Sequence, residues 1–121
     1  MPIALPLFVS LGLLITMTSL SIGLGVALPA GTELPIHFSL WGEPTSYASA
    51  GVALSLLPAA GALATLVFAL GPKIDKRIAT KQGRYLILWL ATVFVIAIAH
   101  GFIIRGALFA LKAAMDASAG G

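Results

Sequence analysis

The chain reads as an all-α integral membrane protein with three transmembrane helices in a single domain, residues 1–121, and an extracytoplasmic loop between helices 1 and 2. Three observations predict this. First, 60% of the residues are hydrophobic and only 9% charged, against about 25% charged in ordinary soluble domains. A soluble domain of this size has too much surface for its volume to hide so much apolar material. Second, the mean hydropathy of +1.07 comes from three runs without Asp, Glu, Lys or Arg, each long enough to cross the ~30 Å hydrocarbon core of a bilayer. Third, five of the seven Lys and Arg residues (Lys73, Lys76, Arg77, Lys81 and Arg84) fall in one short connection. That clustering marks a cytoplasmic topology loop. It does not fit a nucleic-acid reader, which needs basic residues across a folded polar face.

The first helix is expected over residues 3–28, roughly 39 Å long and hence tilted or interfacial at one end. A cleaved signal peptide is the weaker reading, because no Lys or Arg precedes the apolar run. Ser19 and Gly23 form a small-xxx-small pair that admits a close helix neighbour, which is compatible with intramolecular packing or with a homo-oligomer. Pro29, Gly31 and Pro35 end the helix, and a loop is expected to Tyr47. Phe38, Trp41 and Tyr47 suit the membrane–water boundary, where amphipathic rings anchor.

A second helix is expected over 48–70, entered through Thr45 or Ser46 as N-cap, kinked at Pro58 and stopped by Gly71-Pro72. In the basic connection, Ile74 and Ile78 are four apart and suit a short turn resting on lipid. The third helix is expected over 85–111, with residues 117–121 frayed. Arg84 and Arg105 are 21 residues apart, about 32 Å of helix, so they bracket one bilayer thickness. With the basic loop inside, the N-terminus is cytoplasmic, and the 29–47 loop and the C-terminus are extracytoplasmic.

Candidate chemistry is sparse. Glu33, His37 and Glu43 fall short of the three or four firmly placed ligands a metal site needs, so no metal and no cofactor are expected. The chain has no cysteine, no phosphate-binding glycine loop and no nucleophile elbow, so it is read as a non-enzyme. His100 is the costliest residue in a membrane helix. Its expected partners are Thr16, Ser19 or Ser55 on a neighbouring helix; a small transporter or complex subunit with His100 lining a path is the alternative. The predicted topology gathers Glu33, His100 and Arg105 toward the outer face, and Arg105 is expected to pair with Glu33 or Glu43.

The run Leu34-Pro35-Ile36-His37-Phe38, followed by Gly42-Glu43-Pro44 and Tyr47-Ala48-Ser49, resembles the loop after the first helix in SdpI-like membrane proteins. The resemblance covers roughly residues 10–70, with Thr45 and Ala50 standing where the family commonly has Asp and Lys. It implies that Pro35, His37, Phe38 and Gly42 are motif residues. It also implies a bacterial inner-membrane protein whose relatives include immunity proteins against secreted peptide toxins, acting through the lipid bilayer and peptide or membrane-protein partners.

Overall fold

The computed structural model describes residues 3–41 and 43–120. Three helices dominate: α1 (Ala4–Ala27), α2 (Ala50–Ile74) and α3 (Gln82–Gly120). All three are long and apolar enough to cross a membrane. A short 3₁₀ helix, Lys76–Lys81, joins α2 directly to α3.

The helices pack along seams that alternate steps of four and three residues. On α1 the seam is Ser10, Leu14, Met17, Ser21 and Leu24, continued by Leu28 just past its end. On α3 it is Trp89, Val93, Ile96, His100, Ile103 and Ala107. On α2 it is Leu54, Pro58, Gly61, Thr65, Phe68 and Pro72. A 3.5-residue repeat keeps one stripe of each helix facing its neighbours, as in left-handed helix bundles. Gly61 marks a close approach of all three helices: a Cβ there would come within 2.9 Å of Leu14 Cδ2 and 3.6 Å of Ile96 Cγ2. A helix seam with no side chain at its centre lets both partners close in.

The segment expected as an irregular loop is a β-hairpin, so the fold is mostly helical with a two-stranded sheet added. Strand β1 (Glu33–Phe38) pairs antiparallel with β2 (Pro44–Ser49). Gly31, at φ +83°, turns the chain out of α1. The Ala50 N–H donates to the Thr32 carbonyl (2.9 Å) and closes the base of the hairpin. At the tip the Ser39 hydroxyl accepts from the Trp41 and Glu43 N–H groups (3.2 and 3.3 Å), and the Ser39 N–H donates to the Glu43 carbonyl (2.8 Å). Such side-chain caps hold tight turns. Ile36 and Thr45 are extra residues in the register, each inserting an irregularity. Pro35 and Pro44 are tolerated because both strands are edges.

One face of the hairpin is buried. Leu34 is fully enclosed in a cluster with Leu24, Leu28, Leu54, Ile103, Ile104 and Ala107. Pro35 packs on α3, where a Cβ at Gly106 would lie 3.5 Å from its ring. The hairpin therefore docks on α2 and α3 beside the C-terminal end of α1, and α3 rises past it. At about 58 Å, α3 is far longer than the ~30 Å core requires. Its extension, with Ala110 and Leu111 against the hairpin cluster, continues in helix to Gly120 and does not end at Leu111. Helix α3 begins at Gln82 rather than Tyr85, because the 3₁₀ helix feeds it without a break.

Two more boundaries differ from expectation. Thr45 and Ser46 lie within β2, and the cap of α2 is Ser49, whose hydroxyl accepts from the Val52 N–H (3.4 Å). Gly71-Pro72 does not stop α2, which runs on to Ile74. A proline removes the N–H that would serve the carbonyl four residues back. For Pro72 that carbonyl belongs to Phe68, and the Tyr85 hydroxyl donates to it instead. Gly71 makes room for this, since a side chain there would collide with the Tyr85 hydroxyl.

Candidate functional site

His100 sits at the end of a chain of hydrogen bonds that joins all three helices. Pro58 leaves the Leu54 carbonyl without its helical donor. The Ser21 hydroxyl of α1 donates to that carbonyl (2.7 Å). A serine has one proton to give. Its 2.7 Å contact with His100 Nε2 must therefore be one it accepts, which fixes the histidine as the Nε2–H tautomer. His100 is 2% exposed, so this is a buried bridge and not an open path. The expected partners are engaged elsewhere or face outward: Thr16 donates to Gly12 and Ser55 to Val52 within their own helices, and Ser19 is exposed.

A second polar tie lies toward the other end of the bundle. Trp89 Nε1 donates to the Ser10 hydroxyl (2.9 Å), with both side chains fully buried. Trp89 stacks on Phe68 (centroids 5.7 Å apart, planes at 14°), and Tyr85 meets both rings edge-on. Nothing in composition or motif distinguishes Ser10, Ser21, Tyr85 and Trp89 in the sequence. Their signal is positional: Ser21 and Tyr85 stand opposite a proline-freed carbonyl, and Ser10 and Trp89 stand opposite each other on their seams.

The residues expected as an outer polar cluster are not brought together. His100 turns inward to α1, whereas Glu33 and Arg105 are exposed. Among the described residues no carboxylate lies within 4.0 Å of Arg105, so the expected pairing with Glu33 or Glu43 does not form. The guanidinium lies over the Phe109 ring, 5.1 Å from its centroid, one turn along its own helix. The hairpin holds Pro35 and Leu34 against α3 while leaving both glutamates on its solvent side, which explains the separation.

Of the motif residues, Pro35 is a docking residue, Phe38 ends β1, Glu43 is exposed beside the tip, and Gly42 lies outside the described residues. His37 has a different setting. It is exposed and lines a cleft of about 310 Å³ with Ile36, Leu56, Leu57, Phe102 and Ile103. The cleft opens between the hairpin, α2 and α3, and apart from the imidazole its lining is apolar. At the tip Leu40 is 99% and Trp41 89% exposed, and Tyr47 on β2 is more than half exposed. Apolar side chains held outward on a stapled turn are unusual without something to meet.

At the opposite end, Lys73, Lys76, Arg77, Lys81 and Arg84 are all exposed. Asp75 caps the 3₁₀ helix by accepting from the Arg77 N–H (3.0 Å), and its two oxygens take the Arg77 guanidinium at 3.0 and 2.9 Å. These bonds, the guanidinium first and the backbone second, hold the Asp75 carboxyl below its ordinary range. Ile78 packs near Gly71 while Ile74 is exposed, so the two isoleucines do not share one face. Among the described residues no group of three or more His, Cys, Asp or Glu is placed to hold a metal ion.

Comparison with protein-family models, with curated proteins and with solved structures returns no match to this chain.

Proposed function

We propose that this chain is an SdpI-like protein of the bacterial inner membrane that contacts peptide or protein ligands on its outer face, in envelope defence or sensing. The observation that carries the reading is the setting of His37. The histidine of the family-like motif stands at the rim of an apolar cleft, held there by a hairpin whose other face is locked into the helix core. An extended or helical peptide offers apolar side chains for such a cleft and backbone groups for an imidazole. The basic connection sets the orientation, with Lys73 to Arg84 inside and the hairpin outside. Commitment of His100 to Ser21 gives the transport alternative no support, since that alternative needs His100 free to line a path.

The test is a deletion strain challenged with the peptide toxins that its own population secretes. Deletion should sensitise the cells, and the wild-type chain should restore resistance. His37→Ala and the cleft-filling Leu57→Trp should both fail to restore it while reaching the membrane at wild-type levels. In the naturally cysteine-free chain, Leu40→Cys should react with a membrane-impermeant maleimide from outside. Full protection by both variants, or no outside labelling of Leu40→Cys, would overturn the reading.

A further inference from the structure

The largest cavity among those described lies far from the hairpin, beside the connection of α2 to α3. It measures about 520 Å³, within the usual range of small-molecule sites. Arg77, Lys81 and Arg84 line it, and Leu88 follows them. Arg77 and Lys81 reach it from the 3₁₀ helix, and Arg84 and Leu88, four apart on α3, reach it from one face of that helix. The rest of the lining is Asp75, Ile78, Thr80 and Tyr85.

The charges in this cavity are unequal. Asp75 takes the Arg77 guanidinium through both its oxygens, so that charge is largely met. Among the described residues, Lys81 and Arg84 have no carboxylate within 4.0 Å. The lining thus holds two cations free to meet an anion, above an apolar wall of Ile78, Tyr85 and Leu88. That wall is fixed in place: the Tyr85 hydroxyl is committed to the Phe68 carbonyl, and its ring is held by Phe68 and Trp89. A free inorganic anion would use the cations and leave the apolar wall wet. An amphiphile with a phosphate next to a hydrocarbon chain would use both.

We propose that this cavity binds an anionic phospholipid of the cytoplasmic leaflet, with its phosphate between Lys81 and Arg84 and one acyl chain along Ile78, Tyr85 and Leu88. Clustered Lys and Arg residues immediately cytoplasmic of a membrane helix attract such headgroups. The inference rests on the membrane orientation above and is independent of what the hairpin binds.

The test is native mass spectrometry of the protein in a non-ionic detergent, titrated with phosphatidylglycerol or phosphatidylcholine. The wild type should retain phosphatidylglycerol preferentially. Lys81→Gln and Arg84→Gln should each weaken that retention about fivefold, the worth of one cation near an anionic headgroup. Ile78→Trp, which fills the cavity and keeps every charge, should abolish it. Lys76→Gln removes the same charge outside the cavity and should change retention by less than about twofold. Equal losses for Lys76→Gln and Lys81→Gln would show diffuse electrostatics and overturn the site. Displacement of the lipid by excess inorganic phosphate would show that phosphate alone is recognised and would overturn the lipid assignment. All these variants alter exposed or half-buried positions, and a circular dichroism melt checks that each retains its helices.

Discussion

The two proline sites of α2 solve one problem in two ways. Pro58 and Pro72 each deprive the carbonyl four residues back, Leu54 and Phe68, of its helical N–H. A carbonyl left unsatisfied inside a packed bundle is costly, and each finds another donor. At Pro72 the donor is local: Tyr85 arrives from just across the 3₁₀ connection. At Pro58 the donor is Ser21, from a helix 33 residues earlier in the chain, and His100 joins from a third helix. The same backbone defect therefore makes a staple between neighbours at one end and a tie across the whole bundle at the other. A proline in a membrane helix is thus a demand for a hydroxyl nearby, and what supplies the hydroxyl decides whether the defect organises two elements or three.

The comparison can be broken most severely at the end with the local staple. Trp89 is fully buried, stacks on Phe68, and bonds Ser10. Trp89→Ala should cost about 3–5 kcal/mol, the usual range for removing a large aromatic from a packed core. It should also free the Tyr85 ring, so that the α2–α3 staple loosens with it. Thermal unfolding in detergent, followed by circular dichroism, reads the loss. A melting temperature within a degree or so of wild type would show that the aromatic cluster contributes little.

Much of this architecture is legible in the sequence. The three helices announce themselves as charge-free runs, each long and apolar enough to cross a membrane. The hairpin is less legible. Glu33 to His37 shows no polar–apolar alternation, since Leu34, Pro35 and Ile36 are all apolar, and Pro35 and Pro44 argue against strands until one knows that both are edges. The helix seams are hidden for another reason: in a helix apolar all round, hydrophobicity cannot mark the inward stripe. Only the polar and small residues do, as Ser10, Ser21, Gly61 and His100 show. Ser21 was indistinguishable from Ser19 and Ser55 by composition, and what selects it is the carbonyl that Pro58 leaves open. The pairing of Arg105 with a glutamate failed because topology fixes which side of the membrane a residue lies on, not which way its side chain points. The extension of α3 past Leu111 is not legible, because Lys112 and Asp116 read as a solvent-facing tail, and the helix that runs on to Gly120 is indeed largely exposed.

The tie at Pro58 yields the next largest effect and the sharpest test. Ser21→Ala strands both the Leu54 carbonyl and the His100 Nε2–H, and should cost about 1–3 kcal/mol. Pro58→Ala restores the N–H that Leu54 lacks. In that background Ser21→Ala strands only the histidine, so its cost should fall by roughly half, a coupling of about 1 kcal/mol. A double-mutant cycle on unfolding in detergent measures this. Strict additivity would mean that the serine does not serve the proline-freed carbonyl.

The corresponding cycle at Pro72 should give the smallest effect, and the reason lies in position. Tyr85→Phe removes one hydroxyl, keeps the ring contacts with Phe68 and Trp89, and strands a single carbonyl. Tyr85 is only partly buried and follows Arg84 directly, near the end of the bundle where water can reach. A carbonyl that water can serve loses less when its protein donor is removed. The expected cost is therefore about 0.5–1 kcal/mol, and Pro72→Ala should recover most of it. A cost equal to or larger than that of Ser21→Ala would reverse the ranking. It would show that the local staple, and not the three-helix tie, contributes more to holding the bundle together.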